Sequence, residues 1–238
     1  MNQSTAKSSK PSSLILARQQ RSHVLLVLSN AKAGADSEFL SWYLGPHRRE
    51  LSESNNVLRA QQYEQHPIDI TQGHHPRPSF KYLALYDLAL DGAHQAQALI
   101  ERVTALHNQQ LAAQTPATWL YYPASEKVGR SPEASPPMLT LAFANALPEH
   151  EAEFREWYAT RHIRHALNIP ALVSGQCFER TDFQSPGAAE PRFQTVAIYE
   201  QEGTPEDIIA SFQSLPPETF SFPTLDVSRF AESVYQPI

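Results

Sequence analysis

The sequence predicts an α+β protein with two ferredoxin-like (βαββαβ) units in tandem, whose antiparallel four-stranded sheets pack face to face with the helices outside. Three observations predict this fold: a repeat spaced by 115 residues, the same order of strands and helices in both halves, and a proline-rich stretch between the halves. An order of β-α-β-β-α-β places both helices on one face of a sheet and leaves the other face to be covered. Two units in one chain can cover each other.

The repeat is clearest in two strings, "EFLSWYLGPHRRE" at 38–50 and "EFREWYATRHIRH" at 153–165. When the chain is shifted by 115 residues against itself, 11 of the 42 positions between 23 and 64 are identical. These identities place two of the three tryptophans in one matched pair. The sequence therefore indicates a duplication in which each copy retains a histidine beside three aromatic residues.

Apolar periodicity predicts the elements of each unit. The first unit has strands near 23–29, 57–65, 80–87 and 118–124, and helices near 36–52 and 92–113. The second unit has strands near 138–144, 172–180, 193–200 and 225–232, and helices near 149–166 and 204–214. Asp91 is predicted to cap the helix that follows it. The final strands are matched by aligning "WLYYPASEKV" (119–128) with "LDVSRFAESV" (225–234).

Composition predicts the domain boundaries. Residues 1–22 are predicted to be a disordered tail, and a mitochondrial-type presequence is the weaker alternative because the tail lacks acids but is poor in arginine. The first unit is predicted to span 23–129 and the second 138–238. The linker 130–137 lies within "GRSPEASPP", whose prolines and small polar residues sustain neither helical nor strand periodicity.

The chain of 238 residues is 41% hydrophobic, which is enough for a sizeable core. Its formal net charge is -6 and its 19 Lys and Arg residues are scattered, which argues against a nucleic-acid partner. No apolar run approaches the roughly 18 residues of a membrane helix. The single cysteine, Cys177, excludes an internal disulfide and predicts a buried, unreactive thiol and a reducing, cytoplasmic location.

A helical projection places one histidine of each unit on the apolar face of its helix. The residues of the two apolar arcs are Phe39, Trp42, Tyr43 and His47 in the first unit, and Phe154, Trp157, Tyr158 and His162 in the second. Glu50 and His165 fall within the same arcs. Because burying ionisable groups in a dry core costs several kcal/mol, the pattern predicts a polar cavity between helix and sheet in each unit.

The stretch "EFREWYATRHIRHALNIPALVSGQCFE" resembles the EthD-like proteins of the dimeric α+β barrel superfamily, whose first helix carries a pattern close to Phe-x-x-Trp-Tyr-x-x-x-His-Ile-Pro. Ile163 follows the matched histidine, and Ile169-Pro170 precedes the next strand. The resemblance implies a barrel that closes within one chain and a cavity between helices and sheet. The first copy departs from the pattern at "GPHRRELSESNNV", so only one cavity is expected to be competent.

The resemblance and the residue types together predict a cofactor-independent enzyme with acid/base chemistry on a small hydrophobic oxygenated substrate. The reaction would be a cyclisation, isomerisation, dehydration or decarboxylation, typical of a lyase, isomerase or cyclase. The candidate catalytic residues are His162, His47, Tyr158 and Tyr43, with the tyrosines as donors to a developing enolate. The candidate substrate-binding residues are Trp157, Trp42, Arg161, His165, Glu50, Phe154, Phe39, Asn145 and Asn30. In the alternative interpretation, the aromatic residues among them belong to the hydrophobic core, and the asparagines cap the turns that follow the first strand of each unit.

Other functions remain open on the sequence. The chain could be a non-catalytic small-molecule-binding or assembly protein, or a haem-binding protein, since the superfamily includes haem proteins beside cyclases, isomerases and cofactor-free monooxygenases. Metal binding through His162 and His165, or through His74 and His75, is disfavoured because no carboxylate lies at helical spacing. The expected partners are a small-molecule substrate and, in a homodimer, a second copy of the pseudo-dimeric chain, with neither nucleic acid nor membrane.

Overall fold

The computed structural model describes residues 21–106, 111–114, 116–183, 193–216 and 222–238. The predicted disordered tail lies outside the described residues up to position 20. The strands of the first half are β1 (His23–Ser29), β2 (Val57–Gln65), β3 (Tyr82–Leu88) and β4 (Ala117–Pro123). A short strand, β5 (Val128–Gly129), precedes those of the second half, which are β6 (Met138–Ala144), β7 (Leu172–Arg180), β8 (Thr195–Gln201) and β9 (Ala231–Pro237).

The first helix of each half is interrupted by a π-helical turn. In the first half, α1 (Asp36–Trp42), the π turn Tyr43–His47 and α2 (Arg48–Ser52) run on from one another, and α3 (Ala93–Ala105) follows β3. In the second half, α4 (Glu151–Trp157), the π turn Tyr158–His162 and α5 (Ile163–Ala166) do the same, and α6 (Pro205–Ser214) follows β8. Thr204 and Asp207 form a capping box at the start of α6.

The strands close into one antiparallel barrel. Its order is β4-β1-β3-β2-β9-β6-β8-β7, and β4 pairs with β7 to complete the circle, with β5 added outside β7. Tyr63 lies opposite Pro237 along the β2–β9 seam, and Tyr121 lies opposite Arg180 along the β4–β7 seam. Because both seams are hydrogen-bonded, neither half-sheet ends in an unpaired edge there. The predicted intrachain α+β barrel is confirmed.

Strand alternation divides the apolar residues into three cores. Residues that point into the barrel come from both halves, and Trp119 of the first half packs edge-to-face on Phe143 and Phe193 of the second. Residues that point outward are covered by the helices of their own half, in two separate layers. The helices therefore lie outside the barrel, and any cavity beneath a first helix is separated from the barrel interior by the sheet.

Two expectations at element ends are wrong. Helix α3 ends at Ala105, well before position 113, because the backbone around Ala112 pairs with that around Ala31 after β1. Asp91 does not cap α3; its carboxylate accepts a hydrogen bond from Gln95 instead, and the N-cap residue is Gly92. Residues 107–110, which the predicted helix included, lie outside the described residues.

The last strand also begins later than expected. The predicted strand 225–232 is instead a bridge at Leu225, a 3-10 turn at Val227–Arg229 and only then β9. Ala142 pairs with Glu232 as Val27 pairs with Thr118, so Glu232 occupies the position of Thr118 in the first half. The predicted alignment of the final strands was therefore out of register by eight residues.

The π turns change which residues face the sheet. A π turn accommodates one residue more than an α turn, so every later side chain is rotated by about 100°. Glu50 and His165 are consequently exposed, and Leu51 and Ala166 are buried in their place. The expectation that Glu50 and His165 lie on the buried face is wrong. In the described ranges, no helix combines the length and apolar character needed to cross a membrane.

Candidate functional site

The second half holds its histidine against two aromatic rings. The His162 ring stacks on Tyr158, with centroids 4.9 Å apart and planes 9° apart, and lies 4.8 Å from the Trp157 ring. Its Nδ1 is buried and has no hydrogen-bond partner within the described part of the chain. Burial, and then the neighbouring His165, lower the His162 pKa to about 4. The imidazole is therefore neutral at physiological pH and free to accept or donate one hydrogen bond.

The first half repeats this arrangement. The His47 ring stacks on Tyr43 at 5.4 Å and lies 4.8 Å from the Trp42 ring. Burial lowers the His47 pKa to about 4 as well. Both histidines face the sheet, as the helical projection predicted, but the pKa of each lies below the ordinary value of 6.5.

The two candidate tyrosines differ in their partners. The Tyr158 hydroxyl donates to the Ala142 backbone carbonyl at 2.8 Å, so its proton is not available to a substrate. The Tyr43 hydroxyl is buried without a partner among the residues described. The role of enolate donor that the sequence suggested for Tyr158 is thus not supported by its hydrogen bond.

A cavity lies beneath the first helix of the second half. It has a volume of about 50 Å³, which is room for a few water molecules or a small ligand. Its wall is mostly apolar and includes residues of the π turn, α5, α6 and strands β6 to β9. The lining residues are Thr140, Ala142, Trp157, Tyr158, His162, Ala166, Ile169, Leu172, Tyr199, Ile208, Phe212, Leu225, Phe230 and Glu232.

The equivalent cavity of the first half is nearly closed, with about 10 Å³ beside His47. Two differences in size explain this. Val27 stands where the second half has Ala142, and Leu51 stands where it has Ala166. Since both alanines line the larger cavity, the missing methyl groups are what open it.

The carboxyl group of Glu232 was not among the predicted site residues. It is partly exposed and lines the cavity together with His162. Burial, and then the charge of Asp69, raise the Glu232 pKa to about 8, so this carboxyl group is protonated at neutral pH. The first half has Thr118 at the same position and lacks the acid. The alternation of β9 could have revealed Glu232, since it shares the helix-facing side with Val234, but the wrong register of the final strand hid it.

Tyr199 was also missed. Its side chain lines the same cavity, and its hydroxyl is buried with no partner among the described residues. Burial, and then Tyr158, Cys177 and Glu232, raise the Tyr199 pKa well above its usual value. The hydroxyl is therefore a neutral donor beside the Glu232 carboxyl group.

The remaining predicted residues divide into core and surface. Phe39 and Phe154 are fully buried and stack on Tyr43 and Tyr158, so they are core residues. Trp42 packs against the first helical layer without lining a sizeable cavity, whereas Trp157 lines the larger one. Arg161, like His165 and Glu50, is exposed and points away from the cavity.

The two asparagines have structural roles in both halves. Asn30 donates to the Ser79 carbonyl and accepts from the Lys81 backbone N–H. Asn145 donates to the Arg229 carbonyl and accepts from the Gln194 backbone N–H. Their amides fix the chain that enters β3 and β8, which is neither the expected turn cap nor a contact with the cavity.

The thiol of Cys177 is buried beside the Tyr158 backbone carbonyl, 3.2 Å away. The predicted burial of this thiol is confirmed, and burial raises its pKa, which favours the neutral form over the reactive thiolate.

A haem group does not fit this site. Ligand pockets for molecules of cofactor size are about 300–1,000 Å³, far larger than the cavity beside His162. Tyr158 covers one face of the His162 ring, Trp157 lies beside it, and Ile208 and Phe212 of α6 take up part of the cavity wall. Within the described residues, no group of three or more His, Cys, Asp or Glu side chains is arranged to hold a metal ion.

Comparison with known proteins shows the fold. No protein-family model and no curated protein matches the chain. An anthrone oxidase-like protein superimposes with a TM-score of 0.54, at 9% identity over 92% of each chain. A mutant chlorite dismutase from Candidatus Nitrospira defluvii gives 0.52 at 11% identity, over 90% of this chain and 91% of that one. A candidate monooxygenase from Fusobacterium nucleatum gives 0.51 at 10% identity, over 91% and 92%. At such identities the similarity shows a shared ferredoxin-like α+β barrel and says nothing of chemistry.

Proposed function

We propose that the chain is a cofactor-independent enzyme of EthD-like type that moves a proton beside a carbonyl group in the cavity of its second half. The observation that supports this most is the convergence of His162, Glu232 and Tyr199 on one apolar cavity. Paired groups whose pKa values are displaced in opposite directions are typical of acid/base sites. The substrate is a small oxygenated hydrophobic molecule, because the cavity is small and mostly apolar.

Each group has a role that its protonation state allows. The neutral His162 imidazole accepts the proton from the carbon beside the carbonyl, through the nitrogen that lacks a partner. The protonated Glu232 carboxyl group donates to the carbonyl oxygen as negative charge develops there, and the Tyr199 hydroxyl supplies a second donor. Return of the proton to the same or another carbon completes an exchange or an isomerisation.

The first half serves as structure in this proposal. It keeps the aromatic neighbours of His47, but the larger Val27 and Leu51 stand where the second half has alanines, and Thr118 replaces the acid. A duplication followed by loss of one site accounts for these differences. The proposal therefore assigns one active site to each chain.

The test is hydrogen–deuterium exchange at the carbon beside a ketone. Cyclopentanone is incubated with the protein in D₂O, and the loss of the α-proton signal is followed by proton NMR. We expect exchange above the buffer rate, reduced about 100-fold in His162→Gln and in Glu232→Gln, in line with the usual contribution of a general acid or base. The rate should be highest between about pH 4 and pH 8, where His162 is neutral and Glu232 protonated.

Glu156→Gln is the matched control, since it makes the same chemical change at an exposed position of α4. It should exchange cyclopentanone at the wild-type rate. Exchange no faster than in buffer, or equal rates in wild type and Glu232→Gln, would refute the proposal.

A further inference from the structure

The loop between β2 and β3 of the first half lies across the last strand of the second half. The His66 backbone N–H donates to the Val234 carbonyl at 2.8 Å, and the Glu232 N–H donates to the Pro76 carbonyl at 3.3 Å. The Arg77 guanidinium donates to the hydroxyl of Ser233 and to the carbonyl of His66. The loop is thus bonded to β9 at Glu232 itself and at the two residues that follow it.

The same loop is anchored in the apolar layer of the second half. Ile70 is 2% exposed and belongs to the core beneath the helices of the second half, although the chain places it in the first. The His75 ring packs edge-to-face on Phe230, which lines the cavity. The first half therefore supplies part of the surroundings of the second-half site.

Asp69 is fixed within this loop by its own hydrogen bonds. Its Oδ1 accepts from the backbone N–H and the hydroxyl of Thr71, and its Oδ2 accepts from the Gly73 N–H. Gly73 has a φ of 82°, which allows the tight turn that brings its N–H to the carboxylate. Although burial acts the other way, these hydrogen bonds and Arg77 lower the Asp69 pKa, so Asp69 is ionised where Glu232 is neutral.

Several titratable groups surround Glu232. The charge of Asp69 on the loop raises the Glu232 pKa, and the charge of Glu232 contributes in turn to the raised pKa values of Tyr158 and Tyr199. The Arg77 guanidinium is satisfied by Ser233 and by loop carbonyls. The titratable and charged groups on the elements packed around Glu232 are His66, Asp69, His74, His75 and Arg77 on the loop, Tyr158 and His162 in the π turn, and Tyr199 on β8.

We propose that the catalytic site of the second half is completed by the loop 66–79 of the first half, in which Asp69 is a positioning residue that acts through Glu232. Its fixed negative charge disfavours a second negative charge on Glu232, so the carboxyl group remains a proton donor up to mildly alkaline pH. The inference rests on the proposed function for the role of Glu232, but the electrostatic contact can be measured without turnover. It also gives the fusion of two halves in one chain a function, since the active site of the second half uses a loop of the first.

The test is the titration of the Glu232 side chain by carbon NMR of protein labelled at its glutamate carboxyl carbons. The Glu232 signal is identified by its loss in Glu232→Gln. We expect Asp69→Asn, which removes the charge and retains an acceptor for Thr71, to lower the titration midpoint of Glu232 by about 0.5 to 1 unit. The alkaline limb of cyclopentanone exchange should move to lower pH by the same amount.

Two further variants separate charge from loop packing. Asp226→Asn makes the same change in an equivalent turn, where Asp226 accepts from the Ser228 N–H and hydroxyl, and should leave the midpoint unchanged. Ile70→Ala weakens the anchor of the loop but keeps the charge, and should lower the midpoint by less than Asp69→Asn does. The inference is overturned if Asp69→Asn leaves the midpoint unchanged or if Ile70→Ala lowers it as far. An inactive wild type with a shifted midpoint would refute only the proposed function.

Discussion

At three matched positions a change in one side chain distinguishes the two halves. Ala142 and Ala166 replace Val27 and Leu51, and Glu232 replaces Thr118. The first two changes create space, and the third places a carboxyl group at the edge of that space. The histidines, by contrast, are equivalent in stacking and in burial. The chemistry of the site is therefore decided by residues outside the repeated motif.

Burial of Glu232 makes stability depend on pH in a defined direction. Its folded pKa of about 8 lies above the ordinary value of 4.5, so the folded state holds a proton that the unfolded state releases between these values. The contribution of Glu232 to the free energy of unfolding is therefore greatest below about pH 4.5 and falls as the pH rises to about 8. We expect Glu232→Gln to remove this fall and to be more stable than wild type at pH 8, by roughly 2–4 kcal/mol at about 1.4 kcal/mol per pKa unit.

Urea unfolding at pH 5 and pH 8 measures this difference. Glu156→Gln provides the reference, because an exposed carboxyl group should not change the slope between the two pH values. A wild-type protein that loses no more stability than Glu232→Gln over this interval would show that the carboxyl group is ionised in the fold.

At the scale of elements, the π turns decide what the first helices bury. Each places its histidine against the aromatic residues and turns Leu51 or Ala166 towards the sheet. Pro46 lies inside the first π turn, but the second has Arg161 at the same position, so proline is not required for the wider turn. Turns of this kind are frequent at functional sites.

Exchange of the cavity residues between halves tests the origin of the space. Ala166→Leu places the side chain of the first half into the second-half cavity. We expect loss of cyclopentanone exchange with a change in stability within about 1.5 kcal/mol, because the added methyl groups enter existing space. The reverse change, Leu51→Ala, should cost about 2–5 kcal/mol because Leu51 is fully buried in a closed layer.

Stability is measured by urea unfolding and activity by the exchange of ketone protons. If the Ala166→Leu variant is as active as wild type, the reaction takes place outside this cavity. If the Leu51→Ala variant loses less than about 1 kcal/mol of unfolding free energy, the helical layer of the first half repacks around the missing side chain.

At the scale of the whole molecule, the barrel interior joins the halves into one folding unit. Its core contains side chains from both halves, and two matched hydrogen bonds cross between them. The Tyr121 hydroxyl donates to the Phe193 carbonyl at 3.2 Å, and the Tyr235 hydroxyl donates to the Phe80 carbonyl at 3.4 Å. Neither half can unfold without exposing the interior surface of the other.

We therefore expect a single unfolding transition with the same midpoint by tryptophan fluorescence and by circular dichroism. Tyr121→Phe and Tyr235→Phe should each lower stability by about 1 kcal/mol and should be additive in the double variant, because the two bonds share no residue. Two separate transitions, one for each half, would contradict the role assigned to the shared interior.

The sequence by itself determined the repeat, the order of the elements and the direction of both histidines. These features follow from the period of the apolar residues and from the spacing of the repeat, which can be read directly from the sequence. Most strand limits were predicted within two residues. The rotation after the π turns misplaced Glu50 and His165, because a helical projection at 100° per residue assumes an uninterrupted α-helix.

Only the tertiary structure decided which half holds the cavity and which groups meet there. Glu232 reaches the cavity lined by His162 through the pairing of β9 with β6, and Asp69 acts on Glu232 from a loop that crosses from the first half. Such contacts join residues far apart in the chain, and their register depends on how the barrel closes. Local periodicity does not fix that register, so the acid of the site became visible only once β9 was paired with β6.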